Sequence, residues 1–212
     1  FLAKKEEEIK RFRPKPYWQL ESKVQLASNL LVTCNHVKDK FWDKKEAEKS
    51  FNNSKKAKEA TVLAVDTRQY KQNPPTPFDL TTLQTEAYRF FGWSPKQTTN
   101  VAQSLYEKGY ISYPRTSSQK LPPQIGYESI LKNLMKISTY KPMANDLLKT
   151  KLIPNEGKKD DPAHPAVYPT AEVPDPKRLR AQDRRLYDLI VRRFMSVFGQ
   201  PSLRESMKIT FD

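Results

Sequence analysis

The stretch SPKQTTNVAQSLYEKGYISYPRTSS, residues Ser94–Ser118, decides the fold. Ser94 is an N-cap residue and Pro95 sits at the first helical position, where its missing N–H costs nothing. Val101, Ala102 and Leu105 then recur on one helical face, and Gly109 is placed to close the helix. Tyr110-Ile111-Ser112-Tyr113 reads as a strand, and Pro114 ends it because proline cannot donate to a ladder. Just upstream, Leu80, Leu83, Ala87 and Phe90 share a second helical face that Gly92 terminates. Two helices joined by a short glycine-containing turn, with a strand after them, have the outline of a helix-turn-helix. An ordinary helical hairpin has the same outline.

Pro74-Pro75-Thr76-Pro77 is the clearest boundary on the N-terminal side, since prolines hold themselves and the preceding residue extended. Pro174-Asp175-Pro176 marks a second boundary. Before the first lie a charged helix at Lys4–Lys10 and strand-like runs at Tyr17–Glu21, Leu30–Cys34 and Thr61–Thr67. A helical stretch at Asp43–Lys58 falls between the last two. Together they predict one small, partly solvated antiparallel sheet. Between the boundaries, helices are expected at Pro123–Ile137 and Met143–Leu148, with a charged loop at Asn155–Asp161. Beyond the second boundary, Leu179, Leu186, Ile190, Phe194 and Val197 define a long helix. Its other face carries Arg184, Arg185, Arg192 and Arg193. The expected fold class is α+β, divided into 1–75, 76–175 and 176–212.

The formal net charge is +14, from 38 lysines and arginines against 24 acids. That bias favours a polyanionic partner, nucleic acid before a membrane surface, although a solvated basic surface gives the same count. Residues 76–175 hold 12 basic and 10 acidic side chains, so most of the excess lies in the flanking segments. No apolar run approaches the roughly 20 residues that span a bilayer. A single cysteine, Cys34, excludes a disulfide framework and suits a reducing cytoplasm. No charged-then-apolar leader opens the chain, and both ends read as cut from something longer. His36 and His164 are too few for a histidine metal site, and Asp160-Asp161 reads as a solvated turn. His36 is expected to be structural.

Tyr113, Arg115, Thr116, Ser117 and Ser118 carry the chemistry. A phenol can attack a phosphodiester and form a phosphotyrosine. A guanidinium two residues away can hold the phosphate and neutralise developing charge. The three hydroxyls can donate to neighbouring phosphates. A strand tyrosine is nonetheless most often a packing residue.

The segment Gly109–Ser118 closely resembles the active-site motif of type IA DNA topoisomerases. The resemblance runs upstream through Pro77–Gln84, Ser94–Thr99 and Ala102–Glu107, and downstream to Asp161–Thr170 (DPAHPAVYPT), where the family places a histidine near the scissile phosphate. Tyr168 stands where bacterial members usually carry arginine. That departure, with Gln119-Lys120-Leu121-Pro122-Pro123, is closer to the archaeal branch. Ile9–Trp18 resembles the family's entry into an arch domain and Leu186–Phe194 its return.

The resemblance implies a winged-helix-like tyrosine domain, 76–175, inserted into a strand-rich arch (gate) domain formed by 1–75 and 176–212. It implies catalytic roles for Tyr113, Arg115 and His164, with DNA contacts from Gln84, Lys96, Thr99, Gln103, Thr116, Ser117 and Ser118. Tyr113 would form a transient 5′-phosphotyrosyl link to single-stranded DNA, without ATP. Magnesium is expected on an acidic metal-binding domain of the same polypeptide outside these residues, so this chain by itself is expected not to relax DNA. No membrane partner is implied. The competing reading is a non-catalytic winged-helix DNA-binding module, with Lys96, Gln97, Asn100 and Gln103 on the exposed face of its recognition helix. A scaffold docking acidic partners is a third.

Overall fold

A computed structural model describes all 212 residues. It divides into two compact units. Unit 1 comprises Phe1–Arg68 and Ser206–Asp212, and unit 2 the intervening Gln69–Glu205. The architecture is mixed α and β, with seven α-helices and two small sheets. No helix is long and apolar enough to cross a membrane.

Unit 1 begins with helix α1 (Leu2–Arg11), which buries no residue and carries only exposed i,i+3 and i,i+4 ion pairs. Strands β1 (Glu21–Gln25) and β2 (Leu31–Asn35) form a tight antiparallel hairpin with Val24 opposite Val32. Asn29 takes the left-handed conformation in its turn, at φ 61°. Asn is one of the few non-glycine residues that visits that region readily. Helix α2 (Lys44–Ser54) is capped by the Asp43 carboxylate, which accepts from the Lys45 N–H. Its own Ala47 is buried, as is Phe41 just before it. The His36 ring packs edge-on against Phe41 and its Nδ1 accepts from the Lys38 N–H, a structural role.

The single sheet expected for this region does not form. Of Tyr17–Glu21, only Glu21 enters a strand, as the start of β1; Trp18 bridges Phe41 and the Leu20 carbonyl accepts from the His36 N–H. Strand β3 (Val62–Gln72) pairs instead with β4 (Ser202–Phe211), from the other end of the chain. Thr61 and Asp212 exchange backbone hydrogen bonds beyond the strand ends, and Gln69 bonds Glu205 further along. A partner some 140 positions away leaves no mark in local periodicity.

Unit 2 is helical. Helix α3 (Leu80–Phe91) starts with a reciprocal cap. The Asp79 carboxylate accepts from the Thr82 N–H while the Thr82 hydroxyl accepts from the Asp79 N–H. The helix ends at Gly92, φ 69°, a conformation that favours glycine. Helix α4 (Pro95–Glu107) follows, capped by Ser94. Phe90 is 58% exposed, contrary to the expected apolar face; Phe91, one position on, packs against the core instead. The expected helix at 123–137 is broken. A single 3-10 turn at Pro123–Ile125 precedes α5 (Tyr127–Leu134), with Gly126 between them at φ 76°. Helix α6 (Lys141–Leu147) completes that pair.

Helix α7 (Ala181–Ser196) contributes Leu186, Tyr187, Ile190, Val191 and Phe194 to the same core as Phe78, Leu83 and Leu105. The compact unit around this core runs on to Glu205, past the buried Pro174. Arg193 departs from the expected exposed face. Its guanidinium lies over the Phe78 ring and donates to the Thr76 carbonyl.

Candidate active site around Tyr113

The residues that flank Tyr113 are held by a zipper between two loops. Ile111 bridges Pro169, the Ser112 N–H donates to the Tyr168 carbonyl, and the Ser112 hydroxyl donates to the Ala166 carbonyl at 3.1 Å. The Thr170 hydroxyl donates to the Gly109 carbonyl. This replaces the expected strand at 110–113, of which only the one bridge exists. Tyr110 turns towards the core, its ring 6.4 Å from that of the buried Tyr187.

Tyr113 is half-buried. Its ring lies 4.8 Å from the His164 imidazole and 5.3 Å, edge-on, from Tyr106 at the end of α4. Two segments about 50 residues apart thus meet at one phenol. Arg115 is exposed and its side chain has no hydrogen-bond or ion-pair partner. Ser117 is likewise exposed. A half-buried phenol against an imidazole, with an uncommitted guanidinium two residues along the chain, is a set suited to an oxyanion.

Thr116 and Ser118 do not join that set. They are 3% and 0% exposed. The Thr116 hydroxyl donates to the His164 carbonyl and accepts from the Ser118 N–H; the Ser118 hydroxyl accepts from the Lys120 N–H. They hold the two loops together and place His164. Gln84 and Thr99 also bond each other, at 2.9 Å between α3 and α4, and Thr99 donates to the Pro95 carbonyl. Gln103 donates to Glu107 on the same helix. Lys96 alone among the expected contacts on α4 is exposed and unpartnered.

Asp79 supports the site from behind, and the sequence reading does not single it out. It is 1% exposed, and its second oxygen accepts from Lys159 at 2.9 Å and Gln119 at 3.3 Å. Burial pushes its carboxyl up, but the hydrogen bonds from Thr82 and Lys159 outweigh burial and hold it below the usual value. The backbone N–H of Leu80 donates to the Thr116 carbonyl, so the start of α3 and the loop after Tyr113 are one structure. The Asp-x-x-Thr capping pattern at 79–82 is the signal that could have found it.

A shallow groove of about 480 Å³ runs beside His164, lined by Ser118, Lys120, Glu156, Asp160 and Asp161 among others. No group of three or more His, Cys, Asp or Glu is gathered anywhere in the chain to hold a metal. Asp161 instead accepts from the Ala163 N–H.

Across its whole length, residues 1–212, the chain matches the DNA topoisomerase family. It is 49% identical over 211 residues to DNA topoisomerase 1 of Pyrococcus horikoshii, covering 99% of this chain and 30% of that protein. Against DNA topoisomerase 1 of Methanothermobacter thermautotrophicus it is 44% identical, covering 100% of the chain and 28% of that protein. The full-length topoisomerase I structure from Thermotoga maritima superimposes with a TM-score of 0.65 at 26% identity, over 98% of this chain and 33% of that one. The chain thus spans less than a third of the length of the curated relatives it matches. A match over every residue, with archaeal relatives near half identical throughout, means that the chain belongs to the type IA DNA topoisomerases.

Proposed function

We propose that this chain is the cleavage-and-gate portion of a type IA topoisomerase, with Tyr113 as the nucleophile on single-stranded DNA. The observation that carries the reading is the contact of the half-buried Tyr113 phenol with the His164 ring, with exposed, unpartnered Arg115 two residues on in the chain. The Tyr113 phenol gives up its proton, and its oxygen attacks phosphorus to form a phosphotyrosine to the 5′ phosphate of the downstream strand. The bond to the upstream 3′ oxygen breaks, and that oxygen takes up a proton to become a free hydroxyl. Resealing is the reverse: the hydroxyl attacks, the tyrosine leaves, and no nucleotide is consumed. Arg115 neutralises the charge that builds on the phosphate, and His164 donates to it. Family membership supports the strand-passing outcome, a change in DNA topology.

In this reading unit 2 is the tyrosine domain, its α3–α4 hairpin forming a winged-helix-like core, and unit 1 belongs to the arch. Magnesium is held by other domains of the polypeptide. A non-catalytic DNA-binding module would bind through α4 and form no adduct. The test uses the full-length protein and single-stranded DNA labelled at its 3′ end, so that the label stays with the attached strand. The trapped complex is digested and the labelled peptide mapped. Label on Tyr113, lost in Tyr113→Phe with DNA binding retained, is expected. An adduct that persists in Tyr113→Phe would end the assignment.

A further inference from the structure

Several uncommitted donors of unit 2 gather along one flank of α4. A cleft of about 530 Å³ lies along the flank of α4 and the start of α7, lined by Lys96, Gln97, Asn100, Ser104, Arg180 and Gln182. Two of its lining residues are cationic and none is acidic. The side chains of Lys96, Gln97, Asn100 and Gln182 make no hydrogen bond within the chain. Such a surface offers donors in excess of acceptors, which suits a phosphodiester backbone rather than a peptide or a cation.

Arg180 is built in rather than draped. Asp183, 0% exposed, accepts from Arg180 Nε at 3.1 Å and Nη2 at 2.8 Å, and from Lys108 Nζ at 2.7 Å. The same Nη2 donates to the Ser104 hydroxyl on α4. One buried carboxylate thus fixes two cations from segments about 70 residues apart against one helix. The cleft also has a defined direction relative to the phenol. Tyr106, whose ring touches Tyr113, and Lys96 are both on α4, ten residues and so about 15 Å apart along its axis.

We infer that this cleft is a track for the strand that is joined to Tyr113, the segment 3′ of the break. The inference rests on the proposed 5′ phosphotyrosyl link. While that link exists the 3′ segment is anchored to unit 2 at one point only, and free to swing. Lys96, Asn100 and Arg180 hold its next few phosphates, so the broken end stays registered for resealing. The contact is to backbone and sets no sequence preference.

The test measures binding of the full-length protein carrying Tyr113→Phe, so that no cleavage intervenes. Two single-stranded oligonucleotides share the 5′ side of the cleavage site and carry 3′ arms of about two or about nine nucleotides, lengths set by the 15 Å span. The longer arm is expected to bind several-fold more tightly. Adding Lys96→Glu with Asn100→Asp removes that gain and leaves the short-arm affinity unchanged. The salt slope for the long arm falls by about 0.7 for each phosphate that is no longer neutralised. Neutral methylphosphonates in the 3′ arm are expected to reproduce the loss with the unmutated cleft, independently of any effect of the substitutions on folding. An equal loss on both oligonucleotides, or a gain confined to longer 5′ arms, overturns the track while leaving the chemistry at Tyr113 intact. Absence of any adduct in the wild-type protein refutes both.

Discussion

Asp79→Ala removes one buried carboxylate that serves the fold and the site together, and its cost can be built up from its partners. The first loss is the N-cap of α3, where removal of an acidic cap costs about 1 kcal/mol and up to about 2 in a buried setting. The second is the Lys159 bond at 2.9 Å. Lys159 is 56% exposed, so this pair is discounted to the range of a surface ion pair, up to about 1 kcal/mol. The 3.3 Å bond from Gln119 adds little. The expected sum is about 2–3 kcal/mol. Unit 2 spans residues 69–205, and an unfolding entropy of about 2.1 cal/mol/K per residue converts that cost to a fall in Tm of roughly 7–10 °C. Asp79→Asn keeps a good capping residue and loses only the charge, so it is expected to cost about 1 kcal/mol or less. The pH dependence follows from the lowered carboxyl value. Stability from this group is fully present above the unfolded value, near 3.9, and is lost as pH falls through the lower folded value. The gap between wild type and Asp79→Ala is therefore flat from pH 5 to 7 and closes in acid. Thermal or urea unfolding at several pH values measures it. An Asn variant as damaged as the Ala variant, or a gap that widens below pH 4, would refute the reasoning.

Arg115→Ala and His164→Ala in the full-length enzyme are each expected to slow cleavage about 100- to 1000-fold, the worth of one charge-stabilising donor. Both should leave the melting temperature little changed, because Arg115 has no partner and the loop hydrogen bonds at His164 are made by its backbone. Normal single-turnover cleavage in either would remove that residue from the site. The 212-residue chain should bind single-stranded DNA with an affinity that falls steeply with salt, as its +14 charge requires; titrations at two salt concentrations with equal Kd would contradict this. The same chain in magnesium should not relax supercoiled plasmid, since it gathers no acidic metal cluster; a gel assay showing relaxation would contradict that.

Local signals carried the helices well. Asp79, Ser94, Pro95, Gly92 and Gly109 mark the ends of α3 and α4 because caps and left-handed stops are decided within four residues. Tyr113, Arg115 and His164 were legible as a motif, and charge alone pointed to a polyanion. Tertiary structure decided what pairs with what. Only the fold brings the His164 loop to Tyr113, pairs β3 with β4 across the length of the chain, and packs α7 beside Leu83 and Leu105. It also decided which polar groups face outward. Thr116 and Ser118 read from sequence as phosphate donors, yet both are buried, because the backbone of a loop with little ladder of its own must find partners and these hydroxyls supply them. Asp183 and Arg180 were silent for the converse reason. An ion pair three residues apart at a helix start is commonplace in sequence, and only burial of the carboxylate with Lys108 as a second partner makes it a clamp.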